Sequence, residues 1–202
     1  MPKPTFHKLD PYKQENIMNV TIDMILSMPI HAITISHIVE NANIARGSFY
    51  QYFTGLEDLL QYLFKRFIEA FETHTLERLD DSSKDIFTFF REGYAKDYQF
   101  FTTTKMHPMY LKLLEQRKFV GLDLEVHHEE RLNFFNLMLD RLDTTVLDHH
   151  THSNKIMLYI LYVQLKNNEL HRVISGRISY EDGLKNFLFY INTLEKGAVH
   201  RA

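Results

Sequence analysis

Seven glycines and five prolines are the only strong helix breakers in 202 residues, and most fall between segments whose apolar residues recur every three or four positions. That spacing gathers apolar side chains on one face of a helix, and no segment makes a strong case for a strand. The expected fold is all-α. Asp10 and Pro11 open a first helix, since Asp can cap free N–H groups and Pro fits the first turn. Ile17, Val20, Met24 and Met28 mark its apolar face and Pro29 stops it. Thr34 caps a short helix with Ile35, Ile38, Val39 and Ala42 inside. Asn43 follows, a residue that tolerates a left-handed turn, with Ile44 plugging the corner. A second short helix covers about 45–52. Thr54 and Glu57 fit a capping box opening a long helix to about Leu79. Further helices are expected near 84–100, 107–117, 122–142, 154–174 and 180–195, with breaks at 80–83, 102–104, 119–121, 143–153 and 175–179. There is no internal repeat and no low-complexity tract. The joint between domains is expected in the long helix that starts at Leu56.

Composition narrows the function classes. The chain has no cysteine, hence no disulfide framework, no thiolate metal site and no Cys nucleophile. The first residues, MPKPTFHKLD, form no apolar signal core, and no run of 18 apolar residues occurs, so a cytoplasmic protein without membrane contact is expected. Net charge is −3, and residues 1–60 hold four basic side chains against six acidic ones, a balance of −2. Bulk electrostatics do not point to nucleic acid; any such case must come from a motif. P-loop, GxGxxG and HExxH patterns are absent. His127-His128-Glu129-Glu130 has metal-ligand types, but helix neighbours point in different directions and cannot converge on one ion. No enzyme is expected.

The stretch Ala45 to Phe53, ARGSFYQYF, supplies the motif. Two short helices around a tight turn make a helix-turn-helix pattern. Phe49 and Phe53, four residues apart, would face the core and leave Arg46, Gly47, Ser48, Tyr50, Gln51 and Tyr52 on the other faces. Arg pairs with guanine or phosphate, Gln reads adenine, and Ser and Tyr hydroxyls hold phosphates. Gly47 permits close approach of the backbone. One helix of such a pair suits the major groove.

The run ITISHIVENANIARGSFYQYFTGLEDLLQYLF resembles the DNA-binding motif of TetR-family transcriptional regulators, a likeness covering about Asp10 to Phe67. The resemblance implies an N-terminal helix-turn-helix domain, taken as residues 1–55, and a helical ligand-binding and dimerisation domain, taken as 56–202. By position, Thr34, Ser36 and His37 would face the DNA backbone. Arg46, Gly47, Ser48 and Gln51 would lie at or near base edges, and Tyr50 and Tyr52 would hold phosphates. The sequence departs from the pattern twice: Asn43 stands where the turn is often Gly, and Leu56 stands where a phosphate-binding Lys is common. Thr54, Lys3 or Lys8 could replace that Lys.

The implied partners are double-stranded operator DNA, a second copy of the chain paired through about 154–174 and 180–195, and a small effector. Dense apolar faces support the pairing: Ile156, Tyr159, Ile160 and Val163 on one helix, and Leu184, Phe187, Leu188 and Ile191 on the other. The reading is a homodimeric repressor, with no required cofactor, released from its operator by a small apolar molecule. Twelve histidines leave an alternative open. Histidine ligates haem and transition metals, and His74 on the long helix could pair with His149, His150 or His152. A third reading is a helical protein-interaction module that does not bind DNA.

Overall fold

In the computed structural model, residues 1–80, 85–116, 128–147 and 149–199 are described. Among them the chain forms ten α-helices: α1 (Pro4–His7), α2 (Pro11–Ser27), α3 (Ile35–Asn41), α4 (Arg46–Tyr52), α5 (Leu56–Asp80), α6 (Ile86–Thr103), α7 (Met106–Glu115), α8 (His128–Arg141), α9 (His152–Ile174) and α10 (Tyr180–Ala198). Short 3₁₀ turns lie at Ile30–Ala32 and Thr145–Leu147. No strand occurs among the described residues, so the all-α expectation holds. The expected breaks at 81–83 and 119–121, and His127, lie outside the described residues.

Two compact units divide the chain: Met1–Phe71 with Thr104–Val126, and Glu72–Thr103 with His127–Ala202. The joint at 55/56 expected from the sequence falls inside the first unit, which takes in the first section of α5 and all of α7.

In the first unit, α2 packs on α3 and α7, and α4 packs on α3 and on the small α1. The Asp10 carboxylate accepts from the Tyr12 N–H at 2.9 Å, and the Thr34 hydroxyl accepts from the His37 N–H at 3.2 Å, so both expected caps form. The box at the start of α5 is displaced by one residue. Asp58, rather than Glu57, reaches back to the Thr54 N–H (2.9 Å) and hydroxyl (3.1 Å). The reason is that α5 begins at Leu56, which puts position 58, not 57, on the side facing Thr54. Asn43 takes φ 52°, the left-handed corner expected of it. Ile17, Ile25, Ile38, Phe49, Phe53 and Leu59 are fully buried beneath these elements. Tyr110 of α7 stacks on Phe64 and Phe67 at 5.0 and 4.3 Å.

The second unit joins α6 to α9 and α10, and α8 to α9. Asp85 caps α6, accepting from the Phe87 and Thr88 N–H groups at 3.0 and 3.1 Å. Phe87, Phe89, Phe90, Tyr94, Tyr159, Tyr162 and Phe187 fill the interior, with Phe90 and Tyr162 stacked at 4.0 Å. Gly93 lets α6 lie against α9: a Cβ there would sit on the Tyr162 hydroxyl and 2.8 Å from the Arg78 guanidinium.

Asp97 carries the polar centre of this unit. It is fully buried and accepts from Arg78 at 3.1 Å, from His74 at 3.1 Å, and from the ammonium of the equally buried Lys166. Burial alone would push its carboxyl up. Lys166, the hydrogen bond from His74 and the Arg78 charge outweigh burial and hold it at about 2, below the ordinary 3.8. A folded-state value below the unfolded one stabilises the fold above about pH 4, and that contribution is lost as pH falls toward 2. Replacing Asp97 by Asn strands the Arg78 and Lys166 charges and should cost about 3–5 kcal/mol. Thermal melts across pH 2–7 check this: wild type should lose stability on the acid side of pH 4, and Asp97→Asn should melt lower at pH 7 with a shallower acid decline.

Candidate nucleic-acid interface

Arg46–Tyr52 forms a helix of seven residues, too short to persist alone in water. Its inner side holds it in place. Phe49 and Phe53 are fully buried and tilt against each other at 5.6 Å, and Phe53 meets Phe6 at 4.8 Å. With that side fixed, Arg46, Gly47, Tyr50 and Gln51 are left exposed, and Ser48 and Tyr52 half-exposed. Nothing lies within 4 Å of where a Gly47 side chain would begin, so that stretch of backbone is open to a close partner.

The start of α3 shares this surface. Thr34, Ser36 and His37 are exposed, and the Arg46 guanidinium donates to the Ser36 hydroxyl at 2.7 Å. The same guanidinium lies 5.9 Å from the Tyr50 ring centre. Arg46 is thus held out from the fold by a hydroxyl and an aromatic ring, a posture from which a guanidinium can turn to a base or phosphate. All nine candidate DNA contacts, Thr34, Ser36, His37, Arg46, Gly47, Ser48, Tyr50, Gln51 and Tyr52, sit on α3, α4 or the cap of α3, and none of them is buried. Leu56 stands at the start of α5 as the sequence implied. The Lys3 ammonium, one candidate to replace the missing basic residue there, donates instead to the Tyr50 carbonyl at 2.7 Å. Lys8 is exposed.

The candidate effector histidines belong to the second unit and are held by different elements. His74 stacks on Phe100 at 4.6 Å and bonds to Asp97 of α6. His150 lies 2.8 Å from the Ala198 carbonyl at the end of α10, and His152 lies 3.0 Å from the Asn136 side chain on α8. The His149 and His150 rings are tilted against each other with centres 4.1 Å apart. Among the described residues, no group of three or more His, Cys, Asp or Glu side chains could hold a metal ion. No described helix is long and apolar enough to cross a membrane.

What the sequence left unseen is α1. Four residues give no periodicity, and only the apolar Phe6 beside Pro4 hinted at an anchored segment.

The fold is shared with solved regulators. A TetR family transcriptional regulator from Chloroflexus aurantiacus J-10-FL is 22% identical over 100% of both chains, with a TM-score of 0.57. A TetR family transcription regulator from Marinobacter aquaeolei VT8 is 14% identical over 94% of this chain and 96% of that one, with a TM-score of 0.66. The fatty acid degradation regulator FadR from Bacillus halodurans is 18% identical over 96% and 100%, with a TM-score of 0.61. No curated protein matches the sequence. Residues 17–63, from within α2 into α5, match the model for bacterial regulatory proteins of the tetR family, so the chain carries that family's N-terminal helix-turn-helix segment on a fold shared with its solved members.

Proposed function

We propose that the chain is a homodimeric, ligand-responsive repressor that places α4 in the major groove of a near-palindromic operator. The observation that carries this reading is the two-sidedness of α4: Phe49 and Phe53 are locked inside, while Arg46, Gly47, Tyr50 and Gln51 are presented together outside. In this reading, residues 1–55 do the DNA binding and the later helices supply dimer contacts and the effector response. Arg46 and Gln51 read bases, Tyr50, Tyr52, Thr34, Ser36 and His37 fix the register on phosphates, and Gly47 and Ser48 allow the close approach.

The second copy docks on α9 and α10. Met157 and Leu161 on α9 are 57% and 42% exposed, and Phe189 on α10 is 67% exposed. These apolar side chains have more surface in water than a monomer's core requires, and burying them against a symmetric copy is favourable. Tyr159, Phe187 and Ile191, which the sequence suggested for this face, are instead inside the unit's own core. A shallow apolar groove beside the exposed face, lined by Leu147, Leu158, Leu161 and Leu194, extends the surface.

A small apolar molecule is the proposed effector, supported by the Phe- and Tyr-rich interior of the second unit. It releases the operator by favouring a conformation whose half-site spacing no longer fits. The haem or metal alternative draws no support from side-chain placement, because His74 is engaged by Asp97 and Phe100.

Two measurements test the reading. Tyr50→Ala with Gln51→Ala should weaken binding to a duplex selected from a random pool by about 100-fold, while helicity and melting stay unchanged. Retained binding would remove α4 from its role, and a wild type that selects no duplex would favour the protein-interaction module. For the dimer, Leu161→Glu with Phe189→Glu should sediment as a monomer at micromolar concentrations where wild type is a dimer. A monomeric wild type would sink the α9–α10 assignment.

A further inference from the structure

The last turn of α4 presents a hydrogen-bonding problem that the helix does not solve for itself. The final four carbonyls of a helix, here those of Phe49, Tyr50, Gln51 and Tyr52, have no partner within it. The Phe53 N–H takes the first, at 2.9 Å from the Phe49 oxygen. The other three are taken by two residues from more than forty positions earlier. The Lys3 ammonium donates to Tyr50 at 2.7 Å, the Thr5 hydroxyl donates to Gln51, and the Lys3 N–H donates to Tyr52 at 2.8 Å. The Lys3 charge also stands at the negative end of the helix dipole. Phe6 anchors the segment that delivers these donors. It is fully buried, with ring centres 4.8 Å from Phe53, 5.5 Å from Tyr62 and 6.1 Å from Tyr52.

We infer that Lys3 and Thr5 are positioning residues for DNA recognition: they cap the C-terminal turn of α4 from outside and thereby hold Tyr50 and Gln51 in their reading posture. This rests on the proposed role of α4. Two of the three capped carbonyls, those of Tyr50 and Gln51, belong to the residues whose exposed side chains are assigned to the groove, so fraying of this turn would disperse both contacts together. Lys3 therefore acts through the helix and contributes no phosphate contact of its own, although it is one of only four basic side chains in the first 60 residues.

The two roles for Lys3 have different salt signatures. Losing a phosphate contact flattens the dependence of log affinity on log salt by about 0.9, whereas losing a positioning contact lowers affinity at unchanged slope. The test compares wild type with Lys3→Met, Thr5→Val and Lys3→Arg, all in the full chain, on the duplex selected by wild type. Lys3→Met and Thr5→Val together should lower affinity roughly tenfold with the salt slope retained, and Lys3→Arg, which still donates to a carbonyl, should restore most of it. Amide hydrogen exchange, which needs no DNA, should speed up about tenfold at the Tyr50, Gln51, Tyr52 and Phe53 N–H groups while α2 keeps its protection. Unchanged exchange in this turn overturns the inference and leaves the function of α4 standing. A slope reduced by about one phosphate in Lys3→Met alone makes Lys3 a DNA contact and also overturns it. A wild type that binds no duplex removes the proposed function, and with it the recognition role, even where the exchange result shows the capping to be real.

Discussion

A seven-residue helix has no stability of its own, so α4 exists only because the surrounding chain imposes it. Phe49 and Phe53 are the points of attachment. Their burial fixes the rotation of the helix about its axis, and that rotation decides which residues reach solvent. If the helix turned by one residue, Tyr50 would go inside and Phe49 outside. The left-handed Asn43 sets the angle at which α4 leaves α3, and the Asn16 side chain donates to the Ala42 carbonyl at 2.9 Å to hold that corner from α2. The exposed surface of this unit is thus a by-product of how its interior is packed.

The second unit is organised around a charge. Asp97 gathers Arg78 from α5, Lys166 from α9 and the His74 ring into one buried set. Any one of these charges alone would be costly in an apolar interior; together they specify how α5, α6 and α9 meet. About a turn further along α9, Glu169 has a similar role, accepting from Arg172 at 3.0 Å and from Asn186 of α10 at 3.1 Å. Aromatic side chains supply bulk and shape around both sets, and the polar pairs pick one arrangement among the many that Phe and Tyr could pack into.

Much of this was legible in the sequence because helices write their pattern locally. Asp10, Thr34 and Asn43 sit next to what they cap or turn, and Phe49 and Phe53 show the inner side of α4 by spacing alone. The faces of α9 and α10 were harder. Both carry apolar residues on several sides, so Tyr159 and Met157 look alike in the sequence although one is core and the other surface. Contacts between distant positions leave no local trace: nothing around Asp97 announces Lys166, 69 residues later, and nothing around Lys3 announces Tyr50, 47 residues later. The shift of the α5 cap from Glu57 to Asp58 has another cause: the helix begins at Leu56, a residue later than a cap at Thr54 implies, which brings the second of two adjacent acids round to Thr54.

Gly93 gives the helical packing of the second unit a genetic consequence. Every amino acid that could replace it carries at least a Cβ, and that atom would meet the Tyr162 hydroxyl. Any missense change in that codon therefore forces the buried Tyr162 hydroxyl and Arg78 guanidinium to shift, whatever residue it encodes. Residue 47 is also a glycine, but its surroundings are empty, so the same class of nucleotide change there leaves the fold intact and bears only on what the protein touches. A collection of spontaneous loss-of-function alleles should thus contain two kinds of glycine lesion. Those at codon 93 would reduce the amount of folded protein, and those at codon 47 would leave its abundance alone.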